Sequence, residues 1–175
     1  MQRRTAPSPM PENLSPLQFR PMQISDLEQA LELQYRAYRK EFHEGPDTFA
    51  GKLARYPDSA WVAVRKHHLL AYLFAQPACC GLPPPLNDPG REVGAADALH
   101  LHDMAVAPEA QGQGLARRLL EGALTWGSRQ GWRWVTLVAV QDSAPYWRRF
   151  GFHDVAPEKS LESYGPGAVY LTRPL

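Results

Sequence analysis

The stretch Leu99–Leu120, LHLHDMAVAPEAQGQGLARRLL, contains the two patterns that decide the fold. Its first eight residues, Leu99–Val106, have the pattern of a strand. The helix predicted over Gly114–Arg129 carries an apolar stripe at helical spacing, formed by Leu115, Leu119, Ala123 and Trp126. Because Gly112 and Gly114 lie between the two patterns, the stretch predicts a strand that passes through a tight turn into a helix.

The turn between this strand and this helix has the features of an anion-binding site. Glycine lets the backbone approach a ligand closely, and the first amides of a helix lack an internal partner at the positive end of its dipole. A phosphate fits such a place, and Arg117 and Arg118 add positive charge. A Walker loop is excluded, because Leu115 follows Gly114 where that motif needs lysine. A dinucleotide fingerprint is excluded, because Arg117 stands where that motif needs a small residue. An ordinary glycine-containing helix start is the alternative interpretation.

The rest of the chain predicts a mixed sheet covered by helices. Strands are predicted at 17–22, 61–64, 69–75, 132–140, 152–155 and 168–175, and helices at 24–42, after Gly45-Pro46, and at 143–150. A long loop rich in proline and glycine, 79–98, follows the first hairpin. Since early strands form hairpins and later strands alternate with helices, we expect an α/β fold with a mixed, mostly antiparallel central sheet and helices on both faces.

Composition and charge limit the class of protein. The chain has 175 residues, 44% of them hydrophobic, and we expect one domain over 17–175 behind a disordered or loosely attached tail at 1–16. The net charge of +1 argues against a nucleic-acid-binding surface, and no apolar run is long enough to span a membrane. The adjacent Cys79 and Cys80 are typical of reduced thiols in a cytoplasmic protein. We expect a monomer or a homodimer.

Two motifs resemble those of the GNAT superfamily of N-acetyltransferases. MAVAPEAQGQGLARRLL is similar to the family's motif A, in which a strand continues as Gln/Arg-x-x-Gly-x-Gly/Ala, and those positions hold Gln111, Gly114 and Ala116. SAPYWRRFGFHD resembles motif B, a short helix that ends in Gly-Phe, here Gly151-Phe152. The order of the predicted elements also agrees. The resemblance therefore covers residues 17–175 and implies the acyl-CoA N-acyltransferase fold.

The resemblance implies that acetyl-CoA is the co-substrate. In this family the strand of motif A pairs with the pantetheine arm, which assigns that role to the backbone of Met104, Ala105 and Val106. The acetyl group would lie where the strand Leu99–Val106 separates from the strand Trp134–Val140. Motif B would add one aromatic contact to the cofactor, from Trp147. The pyrophosphate would be held by the turn and the start of its helix, which comprise Gln111, Gly112, Gln113, Gly114, Leu115, Ala116 and Arg117.

The opening stretch also carries His100 and His102, which strand alternation places on one face. An alkylamine is mostly an ammonium ion at neutral pH and must lose a proton before it attacks a thioester, and a histidine can accept that proton. HLHDMAV resembles the arylalkylamine N-acetyltransferase branch, in which two alternating histidines handle the amine proton, and we predict that role for both. A structural pair and a metal pair are the alternatives, but no third ligand is identifiable and we expect no metal. Asp103 is a further candidate if a bulge turns it to the same face.

The leaving thiol raises a separate question. Many family members place a tyrosine four residues before the glycine of Gly-Phe as a general acid for the CoA sulfur, but Trp147 stands there. An indole donates a hydrogen bond and is not a proton-transfer acid near neutral pH. The adjacent Tyr146 is the candidate catalytic acid, although a helix should turn it away from that position. A water molecule as the acid, or a core-packing role for both aromatics, is the alternative.

Three functions fit these residues. The leading prediction is acetyl transfer to a primary amine of a small molecule, because the loop 79–98 is suited to narrowing the cleft. The alternatives are a protein N-terminus or lysine as acceptor, and a non-catalytic acyl-CoA sensor, which Trp147 favours and the histidines oppose. Glu41 or Glu44 is a candidate to attract a cationic amine. The wall of the acceptor site is expected to include Tyr35, Tyr38, Glu41, Phe42 and His43.

Overall fold

A computed structural model describes residues 15–175, so nearly all of the tail expected at 1–16 lies outside the described residues. The strands are β1 (Leu17–Pro21), β2 (Ala60–Arg65), β3 (His68–Ala78), β4 (Ala98–Val106), β5 (Trp134–Ala139), β6 (His153–Asp154) and β7 (Val169–Pro174). The α-helices are α1 (Leu27–Ala37), α2 (Pro46–Arg55), α3 (Leu115–Arg129) and α4 (Ala144–Arg148). Over the described part of the chain, no helix has the length and apolar character needed to cross a membrane.

The strands form one sheet in the order β1-β2-β3-β4-β5-β7-β6. β4 and β5 are parallel, and every other neighbouring pair is antiparallel. The predicted mixed, mostly antiparallel sheet is therefore confirmed. The predicted hairpin is also present, and its turn passes through Lys66 with a φ of 55°.

Helices cover both faces of the sheet. Leu99 and His100 are neighbours on β4 and point to opposite faces, so the contacts on each side show which helices cover it. On the Leu99 side, a Cβ built at Gly127 of α3 would lie 3.1 Å from Leu99 Cδ2, so α3 packs closely against the strand. On the His100 side, Gln34 of α1 donates to Asp103 over 2.9 Å. α2 lies on that side too, where the ring centroid of Phe49 is 4.8 Å from that of Phe74 on β3.

The two central strands, β4 and β5, separate part of the way along their length, as the family resemblance implied. Their pairing starts at Ala98 and Trp134 and ends at Leu101 and Leu137, although β4 continues to Val106. The parallel strands therefore diverge beyond that point. The edges that no longer pair face each other across an opening, which is the position of the site described below.

A bulge in β4 changes which side chains share a face. Opposite β3, Asp103 pairs with Phe74 and Leu101 pairs with Ala75, so His102 is an extra residue. Without a bulge, adjacent residues of a strand point to opposite faces. Here Asp103 reaches Gln34 and His102 reaches the loop just after α1, so both point to one side of the sheet.

The helix predicted over 24–42 is shorter than expected. α1 ends at Ala37, and Tyr38 has an extended backbone with φ −110° and ψ 151°. A separate 3-10 turn follows at Lys40–Phe42. Tertiary contact outweighs helix propensity here, because the Tyr38 hydroxyl donates to the carbonyl of Met104 on β4 over 2.8 Å.

Candidate active site

A cleft of about 380 Å³ opens where β4 and β5 diverge. The C-terminal half of β4 forms one wall, and β5 with the start of α4 forms the other. The loop after α1, the loop after β3 and the loop before β7 also contribute lining residues. The residues that line it include Tyr38, Phe42, Glu44, Leu86, His102, Asp103, Met104, Ala105, Val106, Gln111, Tyr146, Trp147 and Tyr164.

The turn after β4 is built as a cradle for an anion. Gly112 and Gly114 have φ values of 76° and 75°, which favour glycine, and α3 begins directly afterwards. A Cβ added at either glycine would meet no atom within 4 Å among the described residues, so open space lies over both. The first hydrogen bond of the helix runs from Arg118 N to the Gly114 carbonyl, which leaves the amides of the preceding turn for a ligand. The predicted phosphate position fits this geometry.

The two arginines after the turn differ in where they point. Arg117 pairs with Glu121 over 2.9 Å on the exposed surface of α3. The guanidinium of Arg118 stacks on the ring of Phe19, 3.9 Å from its centroid. Both arginines were expected to add positive charge at the turn, and only Arg117 was placed among the cofactor-binding residues. The contact with Phe19 engages the guanidinium of Arg118 in packing against β1.

Of the three residues of β4 expected to bind pantetheine, Met104 already has its backbone hydrogen-bonded within the protein. Met104 N donates to the Tyr38 hydroxyl over 3.3 Å, and that hydroxyl donates to the Met104 carbonyl. Ala105 and Val106 lie further along the same cleft wall, beyond the last residue that pairs with β5. The stretch of β4 open to an added strand therefore begins after Met104.

The two histidines lie at different depths. The side chain of His102 is 1% exposed, lies in the cleft wall, and meets Glu44 over 3.1 Å through Nε2. His100 is 0% exposed and lies behind it, with Nδ1 2.9 Å from the hydroxyl of Thr136. Burial, with the nearby His102 and Lys52, lowers the pKa of His100 well below its ordinary value, so this ring stays neutral. His100 Nε2 and His102 Nδ1 are both buried, and neither has a hydrogen-bond partner in the part of the chain that is described.

Glu44 is the most densely bonded carboxylate of the site. Its Oε1 accepts from the backbone N–H of Asn87 over 2.7 Å and faces His102, and its Oε2 accepts from Lys52 Nζ. Burial alone would raise the pKa of Glu44, but its interactions with His102 and Lys52 outweigh burial and lower it to about 2. Burial lowers the pKa of Lys52, against the opposing attraction of Glu44. Glu44 was expected only to attract a cationic amine, whereas the structure shows it bound to protein groups.

Asp103 adds a second buried carboxylate beside His102. Its Oδ2 accepts from Gln34 over 2.9 Å and from the Tyr72 hydroxyl over 2.7 Å. Its Oδ1 is buried and lacks a partner within residues 15–175, and none of the ion pairs of this region includes it. The cleft wall therefore carries a carboxylate whose bonded neighbours are neutral groups.

Tyr146 and Trp147 both line the cleft, which the predicted quarter-turn between them did not suggest. Trp147 is 9% exposed and packs against Phe152, whereas Tyr146 is half-buried. Burial raises the pKa of Tyr146, with Arg149 opposing, so its hydroxyl is protonated at neutral pH. Both residues are therefore positioned to contact a ligand in the cleft.

The cleft wall also includes Leu86 and Tyr164, which the sequence patterns did not indicate. The Tyr164 hydroxyl donates to the Pro84 carbonyl over 2.7 Å, which joins the loop before β7 to the loop after β3. Of the expected wall residues, Tyr38 and Phe42 line the cleft, whereas Tyr35 packs against His43 with the two rings tilted by 40° and Glu41 pairs with Arg39 at the surface. One feature of the sequence did indicate a buried ion pair. Lys52 shares the inward-facing stripe of α2 with Phe49 and Leu53, and a lysine buried among apolar side chains needs a partner of opposite charge.

Within the described residues, no cluster of three His, Cys, Asp or Glu side chains is arranged to hold a metal ion. A sequence profile described as the acetyltransferase (GNAT) family matches residues 26–152, which is more than half of the chain. The matched region contains β4, the glycine turn, α3, and the helix α4 up to Gly151-Phe152.

Solved structures with the same fold include a GNATL domain and N-acetyltransferases. The loading GNATL domain of CurA from Lyngbya majuscula has a TM-score of 0.73 at 15% identity, covering 90% of this chain and 97% of that one. The ribosomal-protein-S18-alanine N-acetyltransferase from Escherichia coli has a TM-score of 0.65 at 19% identity, covering 90% and 93%. The PaiA N-acetyltransferase from Thermoplasma acidophilum, solved in complex with coenzyme A, has a TM-score of 0.66 at 13% identity, covering 91% and 99%.

At these identities the solved structures establish the fold, and the profile match establishes the family. The predicted acyl-CoA N-acyltransferase fold is confirmed. The chain belongs to the acetyltransferase (GNAT) family and is an enzyme of the N-acetyltransferase type.

Proposed function

We propose that the protein transfers the acetyl group of acetyl-CoA to a primary amine of a small molecule by direct attack. The amine nitrogen attacks the thioester carbon, so that a C–N bond forms and the C–S bond breaks, which gives an N-acetyl amide and coenzyme A. The bound ammonium loses two protons in this reaction. One passes to a base and on to solvent, and the other ends on the CoA sulfur.

The donor half of the proposal is supported by the glycine turn and the diverging strands. The free amides and the open space over Gly112 and Gly114 suit a pyrophosphate, with Gln111, Gln113, Leu115, Ala116 and Arg117 around it. The pantetheine arm would run along Ala105 and Val106, since Tyr38 occupies both peptide groups of Met104. The thioester would then reach the cleft between β4 and β5, beside Trp147.

His102 is the proposed base. It lies in the cleft wall, and HLHDMAV resembles the arylalkylamine branch, in which two histidines of this strand take the amine proton. For His100 we propose a supporting role in which a water molecule carries the proton, because the two ring centroids are 5.9 Å apart and the rings do not hydrogen-bond to each other. Histidine suits the step because its ordinary pKa lies near neutral pH.

Tyr146 is the proposed acid for the sulfur. Its hydroxyl keeps its proton at neutral pH and its ring lines the cleft, whereas the indole of Trp147 cannot transfer a proton. The demand on this acid is modest, since a thiolate with an ordinary pKa near 8.5 is a fair leaving group.

One observation carries the choice of a small acceptor: the hydrogen bond from Tyr164 to Pro84 joins two loops over the acceptor end of the cleft. The loop after β3 carries Leu86, which lines the cleft. Hydrogen bonds hold this loop at the Pro84 carbonyl and at the Asn87 N–H, which donates to Glu44. A polypeptide needs an open groove, which these contacts oppose. The buried carboxylate of Asp103 favours an acceptor that arrives as a cation.

The acceptor class is tested by comparing kcat/KM for small primary amines with kcat/KM for peptides that offer an N-terminus or a lysine. We expect higher kcat/KM for at least one small amine than for every peptide. A clear preference for a peptide would assign the acceptor to proteins and contradict the argument from the closed loop.

A further inference from the structure

The contacts around His102 constrain which of its ring nitrogens carries the proton. Nε2 lies 3.1 Å from Glu44 Oε1, and this oxygen also accepts from the Asn87 N–H. The other oxygen of Glu44 accepts from Lys52. An ionised carboxylate only accepts hydrogen bonds, so the ring nitrogen that faces it must donate.

We propose that Glu44 and Lys52 form a positioning pair that holds His102 as the Nε2–H tautomer and leaves Nδ1 as its proton acceptor. The inference rests on the proposed function, in which His102 accepts the proton of the amine. Neither Glu44 nor Lys52 touches the reacting atoms in this account. They act by fixing the ring and its tautomer, as an outer carboxylate does for a histidine base.

Burial of the pair supports a positioning role. The side chains of Glu44 and Lys52 are 1% and 3% exposed, so solvent does not screen their attraction. The two charges compensate each other, so Glu44 is not a free counter-ion for an ammonium substrate. Its backbone N–H also donates to Gln34 of α1 over 2.8 Å, which anchors the loop that carries it. A buried pair with this many bonds holds one geometry.

Nδ1 of His102 fits the role of acceptor. It is buried and has no partner among residues 15–175, although buried ring nitrogens usually hydrogen-bond. The other ionisable groups near this ring are His100 and Asp103 on β4, Tyr72 on β3, and Tyr38 and Tyr164 in the cleft wall. None of them hydrogen-bonds to Nδ1. Once Nε2 donates to Glu44, Nδ1 is the one nitrogen of this ring that can accept a proton.

The tautomer is measured directly by NMR on the full chain. Long-range ¹H–¹⁵N correlations of the histidine rings, recorded at a pH of about 8 with His102→Asn as the assignment control, report which nitrogen is protonated. We expect protonated Nε2 and unprotonated Nδ1 at His102. A protonated Nδ1 would overturn the proposal. This readout requires no turnover, so it is decided even if no acceptor amine is found.

The kinetic test uses the double variant Glu44→Gln/Lys52→Met. Changing Glu44 alone would leave a buried lysine charge without its partner, and the double change avoids that cause of unfolding. We expect kcat to fall by at least about tenfold, while KM for acetyl-CoA stays within about twofold of its original value. The matched control is Glu28→Gln, the same chemical change at an exposed position of α1.

Unchanged kcat in the double variant, with the control also unchanged, would overturn the positioning role. Melting curves of both proteins show whether the variant is folded when kcat is read. An absence of turnover in the unmodified protein would instead count against the proposed function, and the NMR result would still decide the tautomer.

Discussion

The imidazole rings of His100 and His102 lie with their centroids 5.9 Å apart, but only His102 lines the cleft. The sequence pattern made the two histidines equivalent, and their surroundings make them different. His102 meets a charged network, whereas His100 is fully buried beside Thr136.

This difference predicts unequal effects of substitution. His102→Ala should lower kcat by roughly 10²-fold or more, which is the usual contribution of a general base, and His100→Ala should lower it less. Steady-state kinetics of both variants, with acetyl-CoA binding measured by calorimetry, give the comparison. Equal loss in the two variants would mean that the histidines act as one unit, and a larger loss for His100→Ala would reverse the assignment.

The burial of His100 predicts a pH dependence of stability. Its pKa is lowered well below the ordinary 6.5, so on acidification the unfolded chain binds a proton at this residue before the folded protein does. The free energy of unfolding should therefore fall as the pH drops below about 6.5, by up to about 1.4 kcal/mol per pH unit from this group.

Urea denaturation of the unmodified protein and of His100→Gln between neutral and mildly acidic pH checks this effect. The variant should lose less stability over the range, whatever its stability at neutral pH. The exposed His67→Asn is the control and should keep the original slope. Identical slopes for the protein and for His100→Gln would contradict the account.

The left-handed backbone of Gly114 predicts a defect in acetyl-CoA binding. Gly114→Ala meets no steric obstacle, but alanine at a φ of 75° costs about 1 kcal/mol or more, and relief of that strain would move the amides of the turn. KM for acetyl-CoA should rise by roughly tenfold. Gly122→Ala, at an exposed position inside α3, should instead stabilise the protein by about 0.5–1 kcal/mol and leave KM unchanged. An unchanged KM in Gly114→Ala would count against the turn as the phosphate site.

The position of Tyr146 predicts a loss of rate without a loss of folding. Tyr146→Phe removes only the hydroxyl, and kcat should fall by about tenfold to a hundredfold, the lower part of the range for general acids, because the thiolate leaves readily. Tyr56→Phe, outside the cleft, is the matched control. If Tyr146→Phe retained full kcat, the proton on the sulfur would have to come from water.

The sequence predicted the elements that local patterns control. The strand, glycine turn and helix of the opening stretch, the hairpin, and the divergence of β4 from β5 all follow from periodicity, glycine placement or the family motifs. The end of the first helix did not follow, because the Tyr38 hydroxyl bonds to Met104, which lies 66 residues along the chain. Helix propensity over 38–42 contains no information about that contact.

The site was predictable in its strand and turn, and less so in its charges. The motif HLHD identified the two histidines and Asp103 as candidates. Asp103 was a candidate only if a bulge turned it to the face of the histidines, and the pattern itself did not predict that bulge. The bonds of Glu44 reach residues 8, 43 and 58 positions away, so they depend on how α2 and the loop after β3 pack. Such contacts require the tertiary structure.

The most direct test of the central claim is the release of CoA from acetyl-CoA by the purified protein across a panel of primary amines. The panel holds arylalkylamines, polyamines, amino acids, aminoglycosides and N-terminal peptides, and each assay is repeated with His102→Ala. We predict turnover with at least one class of small amine, and its loss in the variant while acetyl-CoA still binds. Turnover that survives in His102→Ala, or silence across the panel from a protein that binds acetyl-CoA, would contradict the account.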